Sequence, residues 1–362
     1  MRQTRAKKAA LLAVDNLIWL LLGASVLVFS WVSPTFLTPY NAISILVREA
    51  PLGLLVIGQS FTLLTGNFDL SSESTMGFAA MVGALLASSG QAGGIGLLVN
   101  PFATIVIMLA IGAVIGVING LFITRLKMNN FIMTLAMMMV LRGATYALSP
   151  AGSVGPLPAA LQWAGGGVVA QFRSVSGPMV TLPVAVVLLV ALFMCAHVVT
   201  RWRPFGRSMY QVGSNRSAAF GAGVNVGRVI VAVYVVSGVT AALAGLIDAG
   251  RMDSVTPLTG ENLIFPTQAA AVIGGVSLFG GRGSLLGAFG GVLLWGVIDS
   301  GLTMAMVSPF WVDVVRGMVL LFAMAIDAWK VGYLRSLVSR GRDEASLGGG
   351  GPVRATAPAV AR

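Results

Sequence analysis

The chain has 362 residues, of which 56% are hydrophobic and only 10% are charged, and its formal net charge is +11. Soluble domains carry about 25% charged residues, so these few ionisable groups could not cover a water-soluble core of this size. The composition therefore predicts an integral membrane protein. The positive charges lie in short clusters at the ends of apolar runs, an arrangement that sets membrane topology rather than one that binds nucleic acid.

Apolar runs of membrane-spanning length follow one another from the amino terminus. The first comes after a basic segment, but no small-x-small cleavage site follows it before Pro34, so we interpret it as a retained helix and not as a signal peptide. The pattern predicts an all-α integral membrane protein with about ten transmembrane helices, at residues 17–33, 46–66, 74–90, 99–124, 129–148, 179–200, 229–249, 263–280, 285–306 and 310–329.

The segments between these runs complete the predicted domain organisation. Residues 1–16 form a cytoplasmic amino terminus, 17–333 the transmembrane domain, and 334–362 a polar, Gly-rich tail that is predicted to be disordered. The Gly- and Pro-rich stretch from Ser149 to Pro178 is predicted to be an extramembrane loop with a short surface helix at Ala159 to Gln162. With ten spans, the outer loops hold only Arg48, Arg173 and Arg251, so both termini are predicted to face the cytoplasm.

A faint internal repeat divides the chain into two halves. The sequence GVING at Gly116 to Gly120 recurs as GVIDS at Gly296 to Ser300. The span that follows each copy contains an Arg-Gly pair, beginning at Arg142 in the first half and at Arg316 in the second. Five spans per half would place the halves in opposite orientations, and inverted repeats are typical of transporters.

The chain lacks the residues that several chemistries require. A P-loop needs a lysine followed by Ser or Thr, whereas the four lysines here are followed by Lys, Ala, Met and Val (Lys7, Lys8, Lys127 and Lys330). The chain is therefore not expected to be an enzyme, and any ATP hydrolysis would need a separate subunit. With His197 and Cys195 as its only histidine and cysteine, it is also expected to hold no metal or cofactor.

The longest inner loop, about residues 201–228, carries a local helix signal. Pro204 and Gly206 are predicted to end the sixth span. Asn215 is a natural N-cap for a short helix over Arg216 to Ala222, which Gly223 would stop. Such a helix is too short to be stable alone in water, so it must pack on lipid headgroups or on another protein.

Several stretches together resemble the permease subunits of bacterial ABC sugar importers of the ribose and xylose type. They are the inner loop, the Gly-rich run from Ala269 to Leu294, the segment LTGNFDLSSES and the segment NGLFITRLKMNNFIMTLAMMMVLRG. The resemblance extends from about Arg48 to Lys330. The chain departs from the family pattern at Asn67, Ser72 and Glu73, where Gly, Val and Gly are usual, and in NLIFPTQ before Ala269.

The resemblance implies a working complex in the bacterial inner membrane. Two permease subunits, as a homodimer or a heterodimer, would act with two copies of an ABC ATPase and with a periplasmic solute-binding protein. The substrate would be a monosaccharide or a related carbohydrate. The inner loop would be the coupling loop that contacts the ATPase, through Gly206, Arg207, Gly213, Asn215, Arg216, Ala218, Ala219, Phe220, Gly221 and Gly223.

Four polar residues are candidates for the translocation path. Asn119 and Asp299 are related by the repeat and could bind sugar hydroxyls, or they could form hydrogen bonds between helices. Arg142 and Arg316 lie within spans, where charge is costly unless it faces a cavity or a partner. They could line an outer vestibule, or each could pair with an acid, such as Asp313 for Arg316.

Two other functional classes remain open from the residues themselves. A secondary transporter or channel for a small polar solute would be marked by an acid at the membrane midplane with a titratable partner. The candidate aspartates fall mostly near predicted helix ends (Asp69, Asp248, Asp299, Asp313 and Asp327). A membrane-embedded enzyme is disfavoured, because the sequence has no cluster of histidines, cysteines or carboxylates.

Overall fold

The computed structural model describes residues 17–149, 152–173, 179–322 and 324–325, and most of them are helical. The predicted amino-terminal segment 1–16 and tail 334–362 lie outside the described residues. In chain order the helices are α1 (Leu17–Val32), α2 (Pro39–Leu64), α3 (Ser72–Ala87), α4 (Pro101–Arg125), α5 (Asn130–Leu148), α6 (Ala159–Gly166), α7 (Val184–Trp202), α8 (Pro204–Ser214), α9 (Arg216–Gly221), α10 (Val226–Met252), α11 (Ile264–Ile273) and α12 (Leu285–Met304). A last helical stretch covers residues 309–322.

Six of these helices are long and apolar enough to cross a membrane, namely α2, α4, α5, α7, α10 and α12. The other predicted spans correspond to shorter helices. Helix α1 has 16 residues, α3 has 16 and α11 has 10, and the end of the tenth predicted run lies outside the described residues. The prediction of a predominantly helical membrane protein is confirmed.

The loop between α5 and α7 contains structure that an all-α prediction leaves out. The predicted surface helix is present as α6, which is longer than expected. Two antiparallel strands follow it, β1 (Val168–Arg173) and β2 (Met179–Pro183), with Phe172 opposite Val180 and Gln171 opposite Thr181. The predicted sixth span began at residue 179, which was wrong, because residues 179–183 are a strand and the helix begins at Val184. Hydropathy alone cannot separate an apolar strand from the helix it leads into.

Helix α10 is central to the fold, because glycines allow its neighbour α4 to approach its backbone. Gly112 and Gly116 lie one turn apart on α4. A Cβ at Gly112 would collide with the carbonyl oxygen of Gly238, and a Cβ at Gly116 would collide with that of Tyr234. Such a small-residue stripe lets membrane helices pack closely where lipid provides no hydrophobic driving force between them. The contact buries the side of α10 that carries Tyr234 and Gly238.

Helices α3 and α11 are both interrupted elements rather than complete spans. A loop over residues 65–71 separates α3 from α2, and residues 253–263 separate α11 from α10. Helix α11 ends at a glycine-rich turn in which Gly275, Gly280 and Gly281 have φ values of 91°, 82° and 71°. A Cβ at Gly274 would meet the backbone of α12. These glycines therefore end α11 and permit close packing.

Replacing Gly116 with Ala tests the contact between α4 and α10. The added methyl group overlaps the backbone of Tyr234, so we expect a loss of about 1–3 kcal/mol in the free energy of unfolding, as is typical of overpacked cores. The matched control is Gly143→Ala on α5, where a Cβ has open space. The control should be neutral or slightly stabilising, because Ala favours helix over Gly. Unfolding of both purified variants in detergent is the measurement. Equal stabilities would contradict the close approach.

Candidate functional site

The amino-terminal ends of α3 and α11 meet inside the helix bundle. The backbone N–H of Ile264, at the start of α11, donates to Oε2 of Glu73 at 2.9 Å. Glu73 lies in the first turn of α3. The first N–H groups of a helix have no partner within the helix and carry partial positive charge. The Glu73 carboxylate therefore stabilises the buried amino-terminal end of α11.

Arg142 of α5 completes this contact. Its Nη2 lies 3.5 Å from Oε1 of Glu73, and its Nη1 donates to the carbonyl oxygens of Pro257 at 3.0 Å and Thr259 at 3.1 Å. The Arg142 side chain is 16% exposed and that of Glu73 is 8% exposed, so this polar group is largely buried. One guanidinium thus holds the segment before α11 against the start of α3.

A second buried carboxylate lies just before α3. Asp69 is 2% exposed, and its Oδ1 accepts from the backbone N–H and the hydroxyl of Ser71 at 3.0 and 2.6 Å. Its Oδ2 accepts from the hydroxyl of Ser237 on α10 at 2.6 Å. The side-chain Nδ2 of Asn119 on α4 donates to Ser71 Oγ at 2.9 Å. The side-chain Oδ1 of Asn119 is buried and has no partner among the described residues. The loop 65–71 is therefore fixed to both α4 and α10 by polar contacts.

The start of the same loop contacts the predicted coupling loop. Nη2 of Arg216, the first residue of α9, donates to Oδ1 of Asn67 at 2.8 Å. Asn130, at the start of α5, donates to the same oxygen at 3.2 Å. An open cleft of about 970 Å³ lies beside this contact, and its polar lining includes Lys127 and Asn129.

The predicted coupling loop contains two helices where the sequence predicted one. The predicted short helix is confirmed as α9, and Asn215 caps it by accepting from the N–H of Ala218 at 3.0 Å. Helix α8 was missed, since Pro204 was interpreted as a helix end and in fact opens α8. Proline suits the first turn of a helix, where its missing N–H would be unpaired anyway. The spacing of Phe205, Met209 and Val212 is the helical signal that could have revealed α8.

The ten predicted coupling residues separate into two groups. Gly206, Gly213 and Ala219 are packed inside this chain, and a Cβ at Gly213 would collide with the carbonyl oxygen of Leu64. The side chains or backbone of the other seven are exposed: Arg207, Asn215, Arg216, Ala218, Phe220, Gly221 and Gly223. Phe220 is 75% exposed. Arg207 lies on α8, and the other six lie on α9 or beside its two ends.

Tyr210 attaches α8 to the glycine-rich turn. Its hydroxyl donates to the carbonyl oxygen of Gly283 at 2.8 Å. Burial raises the pKa of Tyr210, with a smaller opposing effect of Arg201. The phenol is therefore a neutral donor at physiological pH, and the contact does not depend on titration.

The four predicted path residues do not come together in one site. Asn119 and Arg142 both flank the stretch 69–73. Asp299 and Arg316 instead form an ion pair with each other on α12 and the stretch 309–322. Asp299 also lies 3.7 Å from Arg48, and Arg316 contacts Asp313 at 3.0 Å. Each of the two arginines therefore pairs with an acid, which was the alternative to lining an outer vestibule.

Comparison with known proteins identifies the family. Residues 41–324 match the family model described as branched-chain amino acid transport system / permease component. The chain belongs to this permease family. It is 38% identical to the ribose import permease protein RbsC of Bacillus subtilis over 84% of this chain and 90% of the relative. The resemblance to sugar-importer permeases that the sequence predicts is confirmed.

Relatives named for other sugars are also similar to this chain. The galactose/methyl galactoside import permease protein MglC of Escherichia coli is 33% identical over 86% of this chain and 92% of its own length. The fructose import permease protein FrcC of Rhizobium meliloti is 33% identical over 81% of this chain and 79% of its own length. No solved structure matches the chain significantly.

Replacing Glu73 with Leu tests the contact between α3 and α11. The change leaves Arg142 and the Ile264 N–H without a carboxylate, so we expect a loss of roughly 3–5 kcal/mol in the free energy of unfolding. Glu73→Gln retains one carbonyl acceptor and should lose less. The double variant Glu73→Leu with Arg142→Leu should lose less than the sum of the two single variants, measured by unfolding in detergent. Additive losses would show that the two side chains do not interact.

Proposed function

We propose that this chain is the membrane-spanning permease subunit of an ABC importer that carries a monosaccharide or a related carbohydrate across the bacterial inner membrane. The observation that supports this most directly is its similarity, over most of both chains, to permeases named for ribose, galactose and fructose. The particular sugar is not assigned, because related permeases with different named sugars are about equally similar to this chain.

The proposed architecture has ten membrane segments in two inverted halves, with both termini in the cytoplasm. The short helices α3 and α11 support it, since each is the third apolar element of its half. Interrupted helices in corresponding positions of two halves mark the midplane site of many transporters. Their amino-terminal ends converge near Glu73 and Arg142, so the proposed path passes this polar group. Asn119, Arg142, Asp299 and Arg316 remain its candidate residues.

The proposed power source is a separate ATPase subunit, because none of the four lysines can complete a P-loop. A second permease subunit and a periplasmic solute-binding protein complete the proposed complex. Helix α9 is the proposed ATPase contact. It is capped and fixed at Ala219, and it presents the exposed ring of Phe220. Small residues around that ring suit a groove in a protein better than anchorage in lipid, where larger apolar groups gain more.

One observation favours a second candidate, an ion-driven secondary transporter. Asp69 is a buried acid about 17 Å along α10 from Val226, at the level of Ser237. However, its hydrogen-bond partners are the hydroxyls of Ser71 and Ser237 and the backbone N–H of Ser71, none of which titrates near neutral pH. This arrangement suits a structural carboxylate better than a proton relay.

Reconstitution separates the two candidates. The chain is placed in lipid vesicles with its ATPase and binding protein, and uptake of radiolabelled ribose, galactose and fructose is measured. We expect uptake of at least one sugar only with ATP, and none from a proton or sodium gradient when the ATPase is absent. Accumulation driven by a gradient alone would overturn the importer proposal.

Phe220→Asp tests α9 as the ATPase contact. Because the ring is exposed, the change should leave this chain folded but should reduce ATPase co-purification and uptake at least tenfold. Gly223→Val should act similarly, although the φ of 83° at Gly223 adds local strain. Gln211→Asp on α8 is the matched control, since it adds the same charge at an exposed site outside α9. Normal co-purification and uptake for Phe220→Asp would exclude docking through α9.

A further inference from the structure

The contact between Arg216 and Asn67 joins the two parts of the candidate site. Arg216 is an exposed residue at the start of α9, whereas Asn67 is 1% exposed and lies in the loop 65–71. The guanidinium donates to Asn67 Oδ1 at 2.8 Å and approaches the carbonyl oxygen of Gly66 at 3.4 Å. These residues are 149 positions apart in the chain. Arg216 therefore connects the inner surface to a buried loop.

Asn67 is held so that a movement of Arg216 must be transmitted. Its Nδ2 donates to Oγ1 of Thr65 at 2.8 Å and approaches the Thr65 carbonyl oxygen at 3.3 Å. Its Oδ1 also accepts from Asn130. Both ends of the amide are thus occupied, and the side chain cannot rotate away without losing these bonds. A charge-assisted bond such as that from Arg216 is stronger than a neutral one.

The loop beyond Asn67 leads directly to the polar residues inside the bundle. The carbonyl oxygen of Phe68 accepts from the Tyr234 hydroxyl at 2.6 Å. Asp69, which binds Ser237, is only two residues from Asn67, a reach of at most about 7 Å. Helix α3, with Glu73 in its first turn, follows at once. A shift of Asn67 thus acts on the groups that hold the ends of α3 and α11.

The backbone contacts that hold α8, the helix before α9, are close-packed and therefore transmit a displacement of α9. At the end of α8, Gly213 packs on the backbone of Leu64 and Gly281, and the N–H of Gly281 donates to the Leu64 carbonyl oxygen at 2.9 Å. Three chain segments therefore touch backbone to backbone. Such close-packed contacts have low compressibility and move as a unit. The hydrogen bond between Arg216 and Asn67 lies beside these backbone contacts.

We propose that Asn67 is a positioning residue that transmits displacement of α9 to the loop 65–71 and so couples the ATPase to the path. This inference rests on the proposed function. Asn67 is also one of the positions where the sequence departs from the family pattern, which usually has glycine there. A glycine would offer Arg216 only backbone oxygens, so the side-chain coupling is a property of this chain's own sequence.

The test measures ATP hydrolysis and sugar uptake together in vesicles that contain the chain, its ATPase and its binding protein. Asn67→Leu removes the acceptor at similar size. We expect uptake to fall at least tenfold, while ATPase co-purification stays normal and hydrolysis changes less than twofold. The ratio of ATP consumed to sugar transported should then rise about tenfold, which simple loss of folded protein would not produce. Asn67→Asp keeps an acceptor for Arg216 and should restore most of the uptake.

Further variants show whether the effect passes through Arg216. Arg216→Leu should reproduce the raised ratio, and the double variant with Asn67→Leu should be no worse than either single one. Arg125→Leu is the matched control, because it removes an exposed arginine at the inner end of α4, outside the coupling loop. It should leave the ratio unchanged.

The outcomes separate this inference from the proposed function. Failure of the unmodified chain to transport sugar with ATP would defeat the proposed function. Normal coupling of Asn67→Leu in a system where the unmodified chain transports would overturn only the role of Asn67. Multiplying losses in the double variant, or an equal loss in Asn67→Asp and Asn67→Leu, would also overturn it.

Discussion

The structure depends on satisfying backbone polar groups at two places where a membrane helix is interrupted. In hydrocarbon an unpaired N–H or C=O costs several kcal/mol, so a broken helix needs side chains that replace its missing bonds. Glu73 accepts from the first N–H of α11, and Arg142 donates to two carbonyl oxygens of the segment before it. With these bonds formed, the amino-terminal ends of two short helices can lie inside the bundle, where they form a polar region.

The rest of the fold brings these groups together through close backbone approach. Glycines on α4 allow α10 to approach until their backbones touch, which places Ser237 beside Asp69. Gly213 likewise allows α8 to pack on the end of α2. The same kind of contact therefore serves two purposes. It packs the membrane domain without help from a hydrophobic effect, and it fixes the loop 65–71 between α8 and the interior of the bundle.

Local signals predicted much of this, and long-range pairings could not be predicted. The apolar runs identified the membrane domain, and Asn215 followed by a stopping glycine identified α9. The pairing of Glu73 with Arg142 could not be found, because 69 residues separate them. Glu73 lay just before one predicted span, and Arg142 lay within another. For Arg316 the sequence suggested only Asp313, three positions away, whereas the fold also brings Asp299 from another helix. Helix α8 was missed because a proline that opens a helix is identical in sequence to one that closes it.

The way in which Arg142 holds residues 253–263 has a consequence for how this protein can change over time. Arg142 binds the carbonyl oxygens of Pro257 and Thr259, and every amino acid supplies a carbonyl oxygen. These two hydrogen bonds therefore do not depend on which side chains Pro257 and Thr259 carry. Substitutions at Pro257 or Thr259 leave the two carbonyl acceptors of Arg142 in place, and these side chains can diverge without loss of the anchor. Arg142 has no such freedom, since its guanidinium donates both of these bonds.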